Sequence, residues 1–390
     1  MGSKVRVGLV YGGKSGEHEV SLQTAYAVMR EFDYGAYEIK PFYITKQGEW
    51  KSGELLLAPP DSVEALRFGP DSAGSSSLSL APLFSALDAA ALAPASQTGE
   101  ATISGVPAAV TEQAAENAID VMFPLLHGTF GEDGTIQGLF ELANIPYVGA
   151  GVLASAVGMD KIMMKKIFAQ EGLPQCVFRY FNRTQWEKDA SYFIMECEVS
   201  LGYPCFIKPA NLGSSVGVSK AKNREELIAA VDYAFRFDRK VIVEEFIDAR
   251  EIEVAVLGND EPKASVVGEI APSNEFYDYK AKYIDGKSTM IIPADIPADI
   301  AEAVREMAVR AFQAIDGSGL SRVDFFLRKQ DNQIMINEVN TLPGFTPFSM
   351  YPLLWRETGV PYKELLDSLI GLAIDRHKDK QRIDYTGESL

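Results

Sequence analysis

GLVYGGKSGEHEVS, Gly8 to Ser21, decides how the N-terminal part of the chain folds. Its first eight residues satisfy the phosphate-binding pattern G-x-x-x-x-G-K-[ST], with Gly8, Gly13, Lys14 and Ser15 in the specified places. A P-loop needs its four variable residues to be loop, so that backbone N–H groups wrap a phosphate between a strand and a helix. Here they are Leu9, Val10, Tyr11 and Gly12, and the first three continue the apolar run VRVGLVY. The pattern straddles a strand end, and the match reads as chance. What remains is strand, glycine turn and helix, since SLQTAYAVMREF has helical spacing. Glu17, His18, Glu19 and Ser21 then reach a helix N-terminus beyond the carboxyl end of a strand, a common ligand position in open α/β sheets. From this stretch alone, Glu17 and Glu19 as mere complements of the helix dipole is an equal reading.

The rest of the chain sets bounds on that domain. At 390 residues, two or three domains are expected. A net charge of −17 argues against nucleic acid and anionic lipid as partners, because both call for clustered Lys and Arg. An anionic ligand must therefore be held by local cations. Three cysteines, Cys176, Cys197 and Cys205, form no CxxC pair, which points away from a zinc site or disulfide framework and toward a reducing compartment. No signal peptide is legible, and the apolar LAPLFSALDAAALAPA is broken by Pro82, Asp88 and Pro94, so a cytoplasmic location without a membrane span is expected.

Strands are expected at IKPFYIT, IDVMFPLLHG, FIKP, KVIVEEFI, EIEVAVLG and ASVVGEI, the last two in a mixed sheet. GVLASAVGMDKIMMKKIFAQEG reads as one helix stopped at Gly172-Leu173-Pro174, and REELIAAVDYAFRF and DIAEAVREMAVRAFQAI read as two more. Residues 51 to 118 give little signal. Ala271 to Ser288 reads as a long loop, a kind that often serves as a lid. The polar tail HKDKQRIDYTGESL is expected to be loose.

Two strands near the C-terminus carry the strongest chemistry. In SRVDFF, Arg322 and Asp324 are two apart, as are Glu338 and Asn340 in MINEVN, so each pair shares a face. Paired antiparallel through the KQDN turn, they would bring three oxygen-donor side chains and a guanidinium together, a set suited to Mg²⁺ plus phosphate. A solvated face with an ion pair is the bland alternative. Alternation would put Phe326, Ile334 and Ile336 on the same face, which argues against simple exposure. NLGSSVGVSK follows a strand bearing Lys208 and could fold over phosphate, although Gly/Ser loops are more often plain turns. TLPGFTPFS could let backbone approach a ligand at Gly344 or be only a tight turn. VEEFIDAREIE could hold a base and ribose or be solvated acid, and His127 in LLHGTFGEDG could be an ordinary loop histidine.

Taken in order, GGKSGEHEVSL, LHGTFGEDGTIQG, GMDK, IKPANLGSSVGVSK, VEEFIDAREIEVAVLG, EFYDYKAKY, SRVDFF and NEVNTLPGFTPFSMYP resemble the D-alanine:D-alanine ligases of the ATP-grasp superfamily. The resemblance runs from residue 12 to about 352, with no diagnostic match in 51 to 118. It implies an α/β fold in a three-domain ATP-grasp architecture: a Rossmann-like domain over 1–150, a central subdomain over 151–243, a C-terminal subdomain over 244–375, and a polar tail over 376–390. ATP would lie between the second and third.

By motif, Lys161 and Lys208 would hold the phosphates under the Gly213-Ser214-Ser215 loop. Glu244 would take the adenine amino group, backbone at Glu245 and Ile247 with Phe246 between them would complete base recognition, and Glu251 would bind ribose. Relatives often carry Lys where Glu245 stands, which a backbone role tolerates. Asp324, Glu338 and Asn340 would bind two Mg²⁺ or Mn²⁺ ions, and a K⁺ requirement stays open. Glu17 would meet the ammonium of the first D-alanine and His127 its carboxylate. Arg322 and the Gly344 N–H would stabilise the oxyanion, Ser349 would bind the second substrate, and Lys282 the phosphoryl group. Tyr283, on the lid and linked to Ser214 and Glu17, resembles the D-alanine-specific type, with D-lactate or D-serine ligases as the nearest rivals. The resemblance also implies a homodimer acting on D-alanine and ATP. A non-catalytic binding protein is the rival of another class, disfavoured by the intact Arg322, Asp324, Glu338 and Asn340. With the P-loop excluded, Lys14→Ala is expected to leave ATP binding unchanged in a nucleotide titration; abolished binding would restore that reading.

Overall fold

The computed structural model describes residues 4–68, 76–78, 119–271 and 289–384. Three sheets organise the chain. In the first, β1 (Val5–Gly12) lies parallel between β2 (Tyr37–Ile44) and β5 (Val121–Pro124), while β3 (Trp50–Ser52) and β4 (Ser76–Leu78) continue antiparallel beyond β2. Helix α1 (His18–Glu31) follows β1 through a turn at Gly12 and Gly13, both with positive φ. Any Cβ on Gly12 would stand 2.2 Å from the Ile44 carbonyl oxygen, so this turn admits only glycine there. Leu9, Val10 and Tyr11 are strand, as the reading against a P-loop requires.

Beyond α2 (Thr135–Leu142), the expected single helix is two: α3 (Val152–Met159) and α4 (Lys161–Gln170). The break is at Asp160, whose extended backbone and Oδ1 cap α4 by accepting from the Ile162 and Met163 N–H groups. Both helices bury Ala154, Val157, Met164 and Phe168 with residues of the third sheet, although the sequence assigns 151–243 to the central unit.

The second sheet has the order β6-β9-β7-β8 and is antiparallel: β6 (Phe178–Asn182), β7 (Cys205–Pro209), β8 (Ser219–Ala221) and β9 (Lys240–Glu245). Helices α5 (Arg183–Lys188), α6 (Ala190–Ser200) and α7 (Arg224–Ala234) close a core of its own around Phe181, Trp186, Ile207, Leu227 and Val243.

The third sheet, order β12-β11-β10-β13-β14, is antiparallel throughout rather than mixed. Its strands are β10 (Ala249–Gly258), β11 (Lys263–Ala271), β12 (Thr289–Ile291), β13 (Gly319–Arg328) and β14 (Ile334–Asn340). One face packs on α8 (Ala298–Ala314) through Val254, Val323, Phe325, Ala308 and Phe312. The other shares a core with the first sheet, in which Leu9, Tyr11 and Phe123 join Ala255, Leu320, Phe345 and Tyr351. Helices α9 (Met350–Thr358) and α10 (Tyr362–Lys380) complete that core.

The C-terminal segment is not loose from residue 376. Helix α10 continues to Lys380, and Arg376 donates to the Tyr147 carbonyl at 3.0 Å and also bonds Gly149 and Ser318. Lys380 pairs with Glu141 at 2.5 Å, so the end of α10 is pinned to the first domain. Among the described residues no helix is long and apolar enough to cross a membrane. The Phe345 ring packs in tilted geometry, its centroid 6.0 Å from that of Phe123, 5.8 Å from Tyr351 and 5.5 Å from Tyr362, at the join between the first and third sheets. Phe345→Ala is expected to cost about 3–5 kcal/mol, measured by urea unfolding.

Candidate active site

The site begins where the shared core ends along β13. Leu320 is buried in that core, and Arg322 and Asp324, the next residues on the same face, leave it for the cleft. Register sets Arg322 opposite Asn340 and Asp324 opposite Glu338, as the spacing predicts. Asn340 Nδ2 donates to Asp324 Oδ2 at 2.9 Å, and Arg322 grips both Asp324 oxygens at 2.7 Å. From β10, Glu253 reaches Arg322 Nε at 2.9 Å. Burial disfavours the guanidinium charge, yet Asp324 and Glu253 outweigh it and hold Arg322 protonated well beyond its ordinary range.

One expectation about this face needs correction. A bulge between Asp324 and Phe325 shifts the register by one residue, so Phe325 pairs with Ile336 and Leu327 with Ile334. Ile336 is consequently buried in the core under α8, with Ile334 packed against it, and neither shares the face of Glu338.

Lysines approach from the other side. The Asp160 cap starts α4 so that Lys161 and Lys165, one turn apart, share a face. Lys161 Nζ donates to the Leu212 carbonyl at 2.9 Å and lies 3.4 Å from Glu338 Oε2, joining the glycine-serine loop to the third sheet. On β7 and β9, Lys208 and Glu244 pair at 2.5 Å, and the second oxygen of Glu244 meets Lys165 at 3.0 Å. Burial pushes the Glu244 carboxyl up, but the two lysines overcome it and bring its pKa down to about 2. Both lysines are held above their ordinary value, because Glu244 outweighs burial.

The loop over these lysines has Ser214 and Ser215 at left-handed φ of 53° and 58°, a cost that persists mostly at ligand sites. Ser214 Oγ donates to Glu17, linking this loop to the N-terminus of α1. Of the polar group at that terminus only Glu17 faces the loop. His18 is buried against Gly13 O at 2.7 Å, Ser21 donates to Leu125 O at 2.6 Å, and Glu19 pairs with Lys46 and Arg67. His127 is buried, with Nε2 3.1 Å from Thr24 Oγ1 and Nδ1 3.8 Å from Glu132. The next residue, Gly128, has positive φ, and a Cβ there would stand 2.7 Å from Glu17 Oε2.

At the far end of β9, Glu245 ties itself to Val177 through backbone and side chain. Phe246 is 40% exposed beside Phe206, with Lys220 Nζ 4.5 Å from its ring, and Ile247 follows. Glu251 lies on the same face of β10 as Glu253. A Cβ at Gly344 would come within 3.2 Å of Ser349 Oγ, which accepts from the Thr346 N–H at 3.1 Å. Lys282 and Tyr283, with most of the expected lid, lie outside the described residues. A cavity of about 500 Å³ borders the site at Asp160 and Asn211, but no sequence-assigned residue lines it.

Sequence reading passed over Lys165 and Glu253. Lys165 was legible as the i+4 partner of Lys161, whereas Glu253 needed the register of β10 against β13.

Residues 6–150 match the family model described as the D-ala D-ala ligase N-terminus, and residues 167–371 match that of the C-terminus. The chain belongs to the D-alanine–D-alanine ligase family. Among ligases of that name, the one from Bacillus cytotoxicus is 55% identical over 98% of this chain and 99% of its own length. That from Geobacillus kaustophilus is 53% identical over 98% of each. The D-alanine–D-alanine ligase structure from Coxiella burnetii aligns with TM-score 0.74 and 32% identity, covering 98% of this chain and 97% of that one. VanG D-Ala:D-Ser ligase from Enterococcus faecalis aligns with TM-score 0.77 and 36% identity, covering 95% and 100%.

Glu244→Gln would leave Lys165 and Lys208 buried without their carboxylate. The expected loss is about 3–5 kcal/mol, read from urea unfolding at neutral pH. Because the folded pKa of Glu244, about 2, is below its ordinary 4.5, the wild-type contribution is full above pH 4.5 and lost as pH falls toward 2. The difference between wild type and variant should therefore shrink across that window.

Proposed function

We propose that the chain joins two D-alanine molecules at the expense of ATP, through a D-alanyl phosphate, to give D-alanyl-D-alanine for peptidoglycan precursors. The observation that carries this reading is continuity. Arg322, Asp324, Glu338 and Asn340 share one face, Lys161 ties Glu338 to the glycine-serine loop, and Ser214 of that loop bonds Glu17. A phosphate site and an amino-acid site thus meet within one network.

In this reading Lys161, Lys208 and the N–H groups of Gly213, Ser214 and Ser215 orient the phosphates. Glu244, backbone at Glu245 and Ile247, Phe246 and Glu251 hold the nucleoside. Glu17 fixes the ammonium of the first D-alanine, with His127 near its carboxylate, and that carboxylate attacks the γ-phosphorus as the bond to the β-phosphate oxygen breaks and ADP leaves. The amine of the second D-alanine, held by Ser349, then attacks the acyl carbon, and phosphate leaves. Arg322 and the Gly344 N–H face the oxyanion formed in between, where one donor is typically worth ~3–4 kcal/mol. Lys282 takes the phosphoryl group. Tyr283, on the strength of the family, would help to exclude water, which would otherwise hydrolyse the acyl phosphate.

The residues present fit divalent cations. Asp324 and Glu338 stand opposite each other with Asn340 beside them, two carboxylates and an amide that would be completed by substrate phosphate, the usual Mg²⁺ arrangement. Bound there, Mg²⁺ or Mn²⁺ supplies the positive charge that the site lacks, since Glu244, Glu253, Asp324 and Glu338 already engage its lysines and Arg322. A K⁺ requirement, a homodimer and a cytoplasmic location belong to the same proposal, on the strength of the family.

Phosphate release with Mg-ATP should depend on D-alanine and not L-alanine, with a D-alanyl-D-alanine mass in the products. Preference for D-lactate or D-serine as second substrate at neutral pH would move the chain to a neighbouring specificity. Asp324→Asn should lower turnover by orders of magnitude, roughly 10²-fold or more, as loss of a single charge-stabilising group does. Unchanged turnover would remove Asp324 from the site.

A further inference from the structure

Lys165 is fully buried at the back of the phosphate site, where sequence motifs assign nothing. Its Nζ touches three groups: Glu244 Oε1 at 3.0 Å, Cys176 Sγ at 3.4 Å and, at 5.8 Å, the centre of the Phe178 ring. A buried ammonium is costly unless paired, and the pairing here is shared. Glu244 offers one oxygen to Lys165 and the other to Lys208, so two cations flank one carboxylate. With Lys208 and Glu244 alone, the pair would be neutral, and a phosphate approaching Lys208 would also meet the carboxylate 2.5 Å behind it. The third charge changes that balance.

We infer that Lys165 is a positioning residue that offsets the charge of Glu244 and leaves Lys208 a net cation toward the nucleotide phosphates. The inference rests on the assignment of Lys208 to phosphate made above. Lys165 itself does not reach substrate. It occupies Glu244 Oε1, keeps the carboxylate oriented, and prevents Lys208 from being fully neutralised. The low pKa of Glu244 and the raised pKa of Lys165 agree with three ionised groups at neutral pH.

The test compares dissociation constants of Mg-ATP and adenosine by calorimetry at one ionic strength, for wild type, Lys165→Met and Lys165→Met/Glu244→Gln. Adenosine has the base and ribose but no phosphate, so the ratio of its constant to that of Mg-ATP isolates the phosphate contribution. In Lys165→Met that ratio should fall about tenfold or more, because Lys208 then faces Glu244 alone. Removing both charges in the double variant should return it close to wild type. A merely structural Lys165 would weaken both ligands in parallel, and an unchanged ratio in folded Lys165→Met overturns the inference. If Lys165→Met does not fold, Glu244→Gln and the double variant decide: the ratio should rise above wild type in Glu244→Gln, where both lysines are unopposed, and fall back in the double variant, and equal ratios in the two overturn the inference. Wild-type protein that releases phosphate on D-alanine addition yet gives an unchanged ratio in the variant sinks the inference alone. Wild-type protein that binds Mg-ATP no more tightly than adenosine overturns the Lys208 assignment and the inference with it.

Discussion

The structure depends on one hydrophobic core shared between the first and third sheets. Leu9, Tyr11 and Phe123 from one and Ala255, Leu320 and Tyr351 from the other are removed from water together, with Phe345 at the join. Apolar burial of this kind is non-directional, so the polar ties around it fix the orientation. Arg376 reaching Tyr147, and Lys380 reaching Glu141, do this at one edge. The result packs the first sheet, with Glu17 beyond the end of β1, against the third, which carries Arg322 and Asp324 on β13. The second sheet has a separate core and is joined to the others by polar contacts, Ser214 with Glu17, Leu212 with Lys161 and Glu244 with Lys165, beside a small apolar cluster of Ile162, Ala210 and Ile242.

The polar ties explain how an acidic chain can handle a polyanion. Net charge describes long-range attraction, whereas binding is decided by cations at contact. Lys161, Lys208 and Arg322 are each largely removed from solvent beside a carboxylate. They are therefore fixed in position, and the surface acids, screened by salt, matter little to them.

Much of this was legible in the sequence because it obeys local rules. The period of two in SRVDFF and MINEVN placed Arg322, Asp324, Glu338 and Asn340 together, and Leu9-Val10-Tyr11 excluded a P-loop by belonging to a strand. The motifs carried the family, and with it roles for residues such as Ser349 that spacing alone leaves silent. What escaped depended on information outside any short window. Asp160 ends one helix and caps the next, although the apolar spacing runs through it unbroken. Glu253 is defined by a partner strand some seventy residues away, and the anchoring of α10 by Arg376 looks in sequence like the start of a charged tail.

The bulge between Asp324 and Phe325 carries a consequence for how this chain can vary in length. On its strand-end side, Glu338 and Asn340 face the cleft; on the other, Ile334 and Ile336 face the core under α8, with Asn337 as the additional residue that reverses the alternation. Deleting Asn337 would straighten the ladder yet leave both sets where they are, because Ile336 and Glu338 would become neighbours, and neighbours in a regular strand point to opposite faces. Loss of Val339, in the regular part of the ladder, would instead turn Asn340 from the cleft toward the core. The bulge is thus a place where this strand can lose a residue without reversing its faces, whereas the regular ladder from Glu338 to Asn340 fixes its count as strictly as its identity.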